Sequence, residues 1–330
     1  GDAISFVMKT SSLSYPEAIE KLAAKYNVHL ELTDDNRTKE QIESERQKKE
    51  TATLLLNTAS LRYQRELKNH PTVKSYLLEK RQWDDDTIAE WGIGFAPHSD
   101  FLHGDILKSK KVTTAEEIGL IRIFGDKMYD AMNKRITFPI SDHRAQIIGL
   151  AGRLIDNADK DQAKYVNPKD SFLYNKSRVL FGLDKAINGK AFKAHGWAIL
   201  TEGYADVISM HQCGYNNTVA SCGTALTKEQ ARLLRKQTDT VIVMRDGDKA
   251  GIAATLKDID ILISEDFKVY VILLPEGKDP DDMCKEAIDK EWVKESIRLD
   301  AVLWKLDKWF GEAKDELEKS MALDAAGLLL

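Results

Sequence analysis

The chain has 330 residues, 43% hydrophobic and 31% charged, enough to bury a sizeable core in roughly two domains. No apolar run approaches the ~18 residues that a membrane span needs, and the N-terminus lacks the basic, apolar, small-residue order of a secretory signal, so a cytoplasmic location is the expectation. The three cysteines are too few for a disulfide framework or a four-ligand zinc site, and the net charge of −5 conceals a basic middle, with 17 Lys+Arg against 11 Asp+Glu in residues 101–200 and 17 against 25 in residues 201–330.

That asymmetry suits an anionic partner held beside a cation site, and equally two solvated surfaces. In chain order, SLSYPEAIEKLAAKYNV places Ser14 and Glu17 in capping-box spacing and repeats Ile19, Leu22, Ala23 and Tyr26 at helical intervals, which predicts an amphipathic helix. Residues 33–52 are almost wholly charged and polar, a linker or solvated helix arm in which a domain boundary belongs. From about 53 to 90 the pattern is helical, with SYLLEKRQWDDDTIAEW as a helix pair broken near Gln82. Between about 92 and 195 it is mixed: KRITFPI and QIIGLAGRLI read as short strands joined by the polar SDHRA turn, and Pro139 places the first at an edge or ends it early.

After Trp197 strand, turn and helix alternate: AILTEG into YADVISMHQ, NTVASCGTA into LTKEQARLLRK, VIVMRDGD into KAGIAATLKDIDILI, and KVYVILL into PEGKDPDD. Continuous apolar strands alternating with helices imply a parallel sheet covered on both faces. Thr227 and Gln230, in capping-box spacing, mark the start of one helix. Loops at the carboxyl ends of such strands gather in one crevice. Glu202 and Asp206 follow the first strand, Asp246 and Asp248 the third, and Asp279, Asp281 and Asp282 the fourth.

Asp-Gly alone is a turn signal, but three acidic loops at one sheet edge favour a metal site over three independent turns. The i, i+2 spacing of Asp246 and Asp248 points both side chains to one side if the backbone stays extended. Two carboxylates about 4 Å apart repel by about 4 kcal/mol at an effective dielectric of 20, so several together call for cations. Oxygen ligands favour Mg²⁺. Two-metal acidic sites carry phosphoryl and nucleotidyl transfer, and acids alone do not separate polymerase from nuclease or phosphatase.

Glu202-Gly203-Tyr204-Ala205-Asp206, the GTALT loop at 223–227, Asp246-Gly247-Asp248 with Ala250-Gly251, and LPEGKDPDD closely resemble, in this order, the Toprim domain of bacterial DnaG-type primases. GIGFAP (92–97), YDAMNKRITFPISD (129–142), IIGLAGR (147–153) and KYVNPKDSFLYNKSRVLFGLDKA (164–186) resemble the basic half of that family's RNA-polymerase core. The opening residues are similar to the tail of its zinc-binding module and the segment that follows. The resemblance covers residues 1 to about 285. It implies a mixed α/β and α+β architecture: a Toprim parallel sheet flanked by helices (196–285), a basic mixed α+β N-terminal lobe (54–195), a charged linker (34–53) after the zinc-module tail and its helix (1–33), and the start of a helical subdomain (286–330).

The same resemblance implies synthesis of short RNA primers on single-stranded DNA from ribonucleoside triphosphates, with Mg²⁺ or Mn²⁺ in the Toprim crevice. Glu202 would lie closest to the chemistry, with Asp246, Asp248 and Asp279 or Asp281 around the ions and Asp206 in support. Arg81, Arg135, Arg153, Lys164, Lys176 and Arg178 fall on positions that bind template and nucleotide. Arginine clamps phosphate bidentately and lysine adds a point charge; any one of these residues could instead belong to a solvated face. Tyr165 and Asn167 could stack on and hydrogen-bond a base, although such a tyrosine is commonly core, and Phe138 is assigned to the core.

YDAMNKR departs from the family's usual YDRFRNR by placing Ala131 and Asn133 where arginines often stand, with Lys134 a partial substitute, and Arg245 takes a place that is often apolar. Zinc is expected only in a missing N-terminal module, and a replicative helicase only through a missing C-terminal domain; a single-stranded DNA-binding protein is a further partner in view. The rival readings are a Toprim metal-dependent nuclease and a nonenzymatic single-stranded nucleic-acid-binding module. No tyrosine has a context suited to a topoisomerase nucleophile.

Overall fold

A computed structural model describes residues 4, 7, 15–26, 39–155, 162–223, 225–286, 292–295 and 298–312. Its contacts divide the chain into two units, residues 1–47 and 48–330. In the first, the predicted amphipathic helix runs Tyr15–Tyr26, buries Ala18 and Ala23 and leaves Tyr26 exposed. The expected cap at Ser14 lies outside the described residues. Helix Lys39–Lys68 starts in the charged stretch, where residues 40–50 are exposed. The boundary at 47/48 falls inside that polar stretch. Beyond it, Ala52, Leu56, Ala59, Tyr63 and Leu67 recur every three or four residues and are buried, so the second half of the helix has one apolar face.

Within the second unit, helix Pro71–Ser75 continues as a π-helical turn, Tyr76–Lys80, and the chain breaks at Gln82, whose φ of 55° is left-handed, before helix Asp85–Glu90. Asp84 caps that last helix by accepting from the Thr87 amide at 2.7 Å. Strands β1 (Gly94–Ala96), β4 (Arg135–Ser141), β5 (Ile147–Leu154) and β6 (Tyr165–Val166) form an antiparallel sheet in the order β1-β4-β5-β6, and β2 (Ile121–Phe124) and β3 (Lys127–Asp130) form a separate hairpin. β1 pairs with β4 only from Arg135 to Thr137. Pro139 therefore lies where β4 is paired on one side alone, against Leu150 of β5; the strand expected at an edge or to end early instead lies between β1 and β5 and runs on to Ser141, the proline falling beyond the β1 pairing.

The second sheet has the order β11-β10-β9-β7-β8, built from β7 (Ala198–Thr201), β8 (Thr218–Ala220), β9 (Thr240–Val243) and β10 (Lys268–Val271), all parallel, and β11 (Leu299–Asp300), antiparallel to β10 at the edge. β7 is buried at every residue, as a strand covered on both faces must be. One apolar cluster runs through both sheets: Phe138 stacks on Tyr204 at 5.5 Å, Trp83 meets Phe138 edge-on at 6.3 Å, and Phe181 meets Tyr204 edge-on at 4.8 Å. Phe138, 1% exposed, contributes roughly 1.5–3 kcal/mol by burial alone. Among the described residues no helix is long and apolar enough to cross a membrane.

Candidate functional site

The acidic loops emerge together because β7, β9 and β10 are adjacent and parallel. They are also held by backbone hydrogen bonds: from the loop after β8 the Cys222 amide donates to the Glu202 carbonyl at 3.1 Å, and between the loops after β9 and β10 the Gly247 amide donates to the Lys278 carbonyl at 2.8 Å. The glycine between Asp246 and Asp248 has a steric cause. A Cβ at Gly247 would stand 2.0 Å from the Pro275 carbonyl oxygen, and one at Gly251 would stand 2.1 Å from that of Asp246. The loop after β9 thus packs backbone to backbone against the loop after β10.

Glu202 is exposed, Asp246 half-buried, and Asp206 buried. Several carboxylates double as helix caps. Asp206 accepts from the Gly203 amide at 2.8 Å, Asp248 from the Gly251 amide at 2.7 Å, and Asp279 from the Asp282 amide at 2.7 Å. Burial, then repulsion from Glu202, Asp279 and Asp248, pushes the Asp246 carboxyl up to about 6. Burial and the nearby Asp279 and Asp246 raise Asp206 well above the usual carboxylate range, and burial likewise raises Asp279.

Asp281 has different surroundings. It is fully buried, receives Arg81 and Lys285 as ion-pair partners, the latter at 2.7 Å, and accepts from the Ser209 hydroxyl at 2.5 Å. Ser209 in turn accepts from the Trp83 indole N–H at 2.7 Å. Arg81, which the family resemblance links to template or nucleotide, is thus engaged by an acid 200 positions away. Lys285 and Ser209 were not singled out from sequence; the i, i+4 spacing of Asp281 and Lys285 on helix Pro280–Glu286 was the available signal.

The basic residues divide by exposure. Lys134, Lys164, Lys176 and Arg178 are exposed. Arg135 is buried, and its guanidinium donates to the carbonyls of Asn133 and Ala163, each at 3.0 Å; the space its stem occupies exists because residue 152 is glycine. Arg153 pairs in register with Tyr165, donates to its hydroxyl and lies 5.0 Å over its ring. Asn167 reaches the acidic sheet, donating to the Cys222 carbonyl at 3.1 Å and accepting from the Tyr204 hydroxyl at 2.7 Å. Tyr165, half-buried, is 6.0 Å from the Tyr204 ring. Lys176 and Arg178 sit on a 3₁₀ turn whose neighbouring carbonyls accept from Thr227 and Gln230, the residues that also form the expected capping box.

Two further placements concern the departures noted in sequence. Ala131 is buried against Met132 and Leu150 in one cluster, and Lys134 is exposed with a left-handed φ of 56°. Arg245 pairs with an acid, Asp258, at 2.6 Å, and both are buried. Asp258 was also missed; a charge among Thr255, Ile259 and Leu262 on the buried stripe of helix Lys249–Ser264 was its signal.

Among the described residues no three His, Cys, Asp or Glu side chains converge as a ready-made metal cage. The donor set nevertheless fits a hard divalent cation, because Asp206, Asp246 and Asp279 are each driven toward protonation partly by like charges that a cation would offset. Mg²⁺ characteristically takes one or two carboxylates and keeps several waters, and Asp246 with Glu202, Asp248 or Asp279 would supply them.

Residues 62–187 match the family described as DNA primase catalytic core, N-terminal domain, and residues 199–284 match the Toprim-like family. A DNA primase of Clostridium acetobutylicum is 36% identical over 289 residues, 87% of this chain and 46% of that protein. The chain spans about half the length of the curated relatives it matches. The crystal structure of the Aquifex aeolicus primase zinc-binding and RNA polymerase domains is 31% identical, covering all of this chain and 78% of that one, with a TM-score of 0.73. A DnaG primase catalytic domain bound to single-stranded DNA is 25% identical over 86% of this chain and 93% of that one, with a TM-score of 0.76. With the Toprim sheet, its acidic loops and the adjoining basic lobe all in place, the chain belongs to the DnaG-type DNA primase family.

Proposed function

We propose that this chain is the catalytic core of a DNA-dependent RNA polymerase that makes short RNA primers on single-stranded DNA. The observation that carries the reading is the junction of two opposite surfaces. Glu202, Asp246, Asp248 and Asp279 occupy the carboxyl edge of the parallel sheet, and Asn167 and Tyr165 connect that edge to the lobe bearing Lys164, Lys176 and Arg178. A relative of the same fold has been solved with single-stranded DNA bound.

In this reading a primer or initiating 3′-hydroxyl attacks the α-phosphate of a ribonucleoside triphosphate in line, displacing pyrophosphate. Two Mg²⁺ or Mn²⁺ ions held by the acidic loops would supply stabilisation of the attacking and leaving oxygens. Glu202, exposed at the rim, is the acid nearest the reacting groups, and Asp246 with Asp248 or Asp279 fixes the charge beside the triphosphate. Asp206, buried behind them, holds the Gly203 amide and so the turn that carries Glu202. Lys164, Lys176 and Arg178 steer template and triphosphate by charge, while Arg135 and Arg153 hold the 163–165 segment that presents Lys164, and Thr227 and Gln230 hold the turn that presents Lys176 and Arg178. No side chain need form a covalent intermediate. A zinc-binding module, a helicase-docking domain and a single-stranded DNA-binding protein belong to the same proposal for the longer protein.

The test is ribonucleotide incorporation on single-stranded DNA with Mg²⁺ or Mn²⁺, run beside Asp246→Ala and a preformed-primer control. RNA product from the parent chain, lost in Asp246→Ala with DNA binding retained, is the expected result. Template degradation without nucleotides would replace this reading by a nuclease, and an inert protein that binds DNA would replace it by a binding module.

A further inference from the structure

Arg245 precedes the Asp-Gly-Asp turn at the end of a strand that is otherwise apolar, and only 4% of its surface is exposed. A guanidinium there must find partners for its donors, since a buried unpaired charge is not tolerated. It finds them on three sides. Nε donates to Asp258 Oδ2 at 2.8 Å and Nη2 approaches the same oxygen at 2.6 Å. Nη1 donates to the Thr201 carbonyl at 3.0 Å, and Nη2 reaches the Ser221 hydroxyl at 3.5 Å.

Each contact lies next to a functional loop. Thr201 precedes Glu202, Ser221 opens the loop that contains Cys222 and Gly223, and Arg245 itself precedes Asp246. The planar fork therefore joins the carboxyl ends of β7, β8 and β9 in one fixed arrangement, which a point-charge lysine cannot reproduce. Asp258, wholly buried on helix Lys249–Ser264, anchors this fork to the helix that Asp248 caps.

We infer that Arg245, held by Asp258, is a positioning residue: it fixes the Glu202 turn and the 221–223 loop relative to Asp246, setting the spacing of the acidic loops without touching substrate. The inference rests on the reading of those loops as a cation site. It predicts loop order and cation affinity, both measurable without the polymerase reaction.

The discriminating variant replaces the pair together, Arg245→Met with Asp258→Leu, because removing one partner strands a buried charge whereas an apolar pair of similar volume is commonly tolerated. In the full chain, the double variant should melt close to the parent, while amide exchange at Glu202, Gly203, Cys222 and Gly223 quickens about tenfold. Mn²⁺ binding, followed by electron paramagnetic resonance, should weaken about tenfold, the scale typical of lost supporting groups around a metal site. Arg245→Lys, which keeps the charge but loses the fork, should fall between the two, and it replaces the double variant if that does not fold. Unchanged amide exchange together with unchanged Mn²⁺ affinity in a folded variant would overturn the inference. A parent chain that binds no Mn²⁺ would instead overturn the cation-site reading, leaving amide exchange to decide the role of Arg245.

Discussion

Tyr63 donates to both oxygens of Asp130 at 2.8 Å, and the Met132 amide adds a third hydrogen bond, yet burial still pushes this carboxyl up to about 6. The folded state then keeps a proton that the unfolded chain releases from about pH 4 upward, so Asp130 costs stability as pH rises from about 4 to 6, and the penalty is complete above that window. At roughly 1.4 kcal/mol per pH unit the full penalty is on the order of 3 kcal/mol. Asp130→Asn should therefore compare better with the parent at pH 7.5 than at pH 4.5, as read by urea unfolding at both values. His211, buried and pushed down to about 4, acts in the opposite sense, losing stability as pH falls from about 6.5 toward 4, but it is common to both proteins and drops out of the difference. Residues of this kind show the limit of sequence. Asp246 and Asp248 were legible because they follow an apolar strand, whereas the partners of Asp281 and Asp130 lie 200 and 67 positions away, and no local pattern signals them.

At the scale of elements, the parallel strands, the Thr227–Gln230 cap and the break at Gln82 were all legible, because each rests on a short-range rule: apolar continuity, a side chain reaching three residues on, or a left-handed turn. β11 was not, since a two-residue strand pairing antiparallel with β10 has no periodicity to reveal it. The loops carry the most specific consequence. Gly247→Ala must displace the backbone at Leu274 and Pro275, with which its new Cβ would collide, and this moves the Asp279 loop away from Asp246. Misplacement of about 1 Å can cost on the order of 10²-fold in rate, so incorporation should fall on that scale while circular dichroism still shows a folded protein. Normal incorporation by a folded Gly247→Ala chain would show that the two loops act independently.

For the whole molecule, the proposed DNA binding gives the basic lobe's exposed charges a measurable consequence in its response to salt. Lys164 is exposed and forms no ion pair among the described residues, so Lys164→Ala should lower the slope of log affinity against log salt by about 0.7 on single strands, without shifting the melting temperature. An unchanged slope would remove Lys164 from the DNA path. Arg135 cannot serve that test, because its guanidinium supports the 162–163 segment and its loss would disturb the lobe itself. The seam between lobe and sheet bears on how such proteins can be recombined. Arg81 and Trp83 on one side meet Ser209 and Asp281 on the other, beneath the Phe138–Tyr204 stack. A Toprim half transplanted from a relative keeps this seam only where the residues at these six positions are compatible across it, so functional chimeras will need the six to travel as a set.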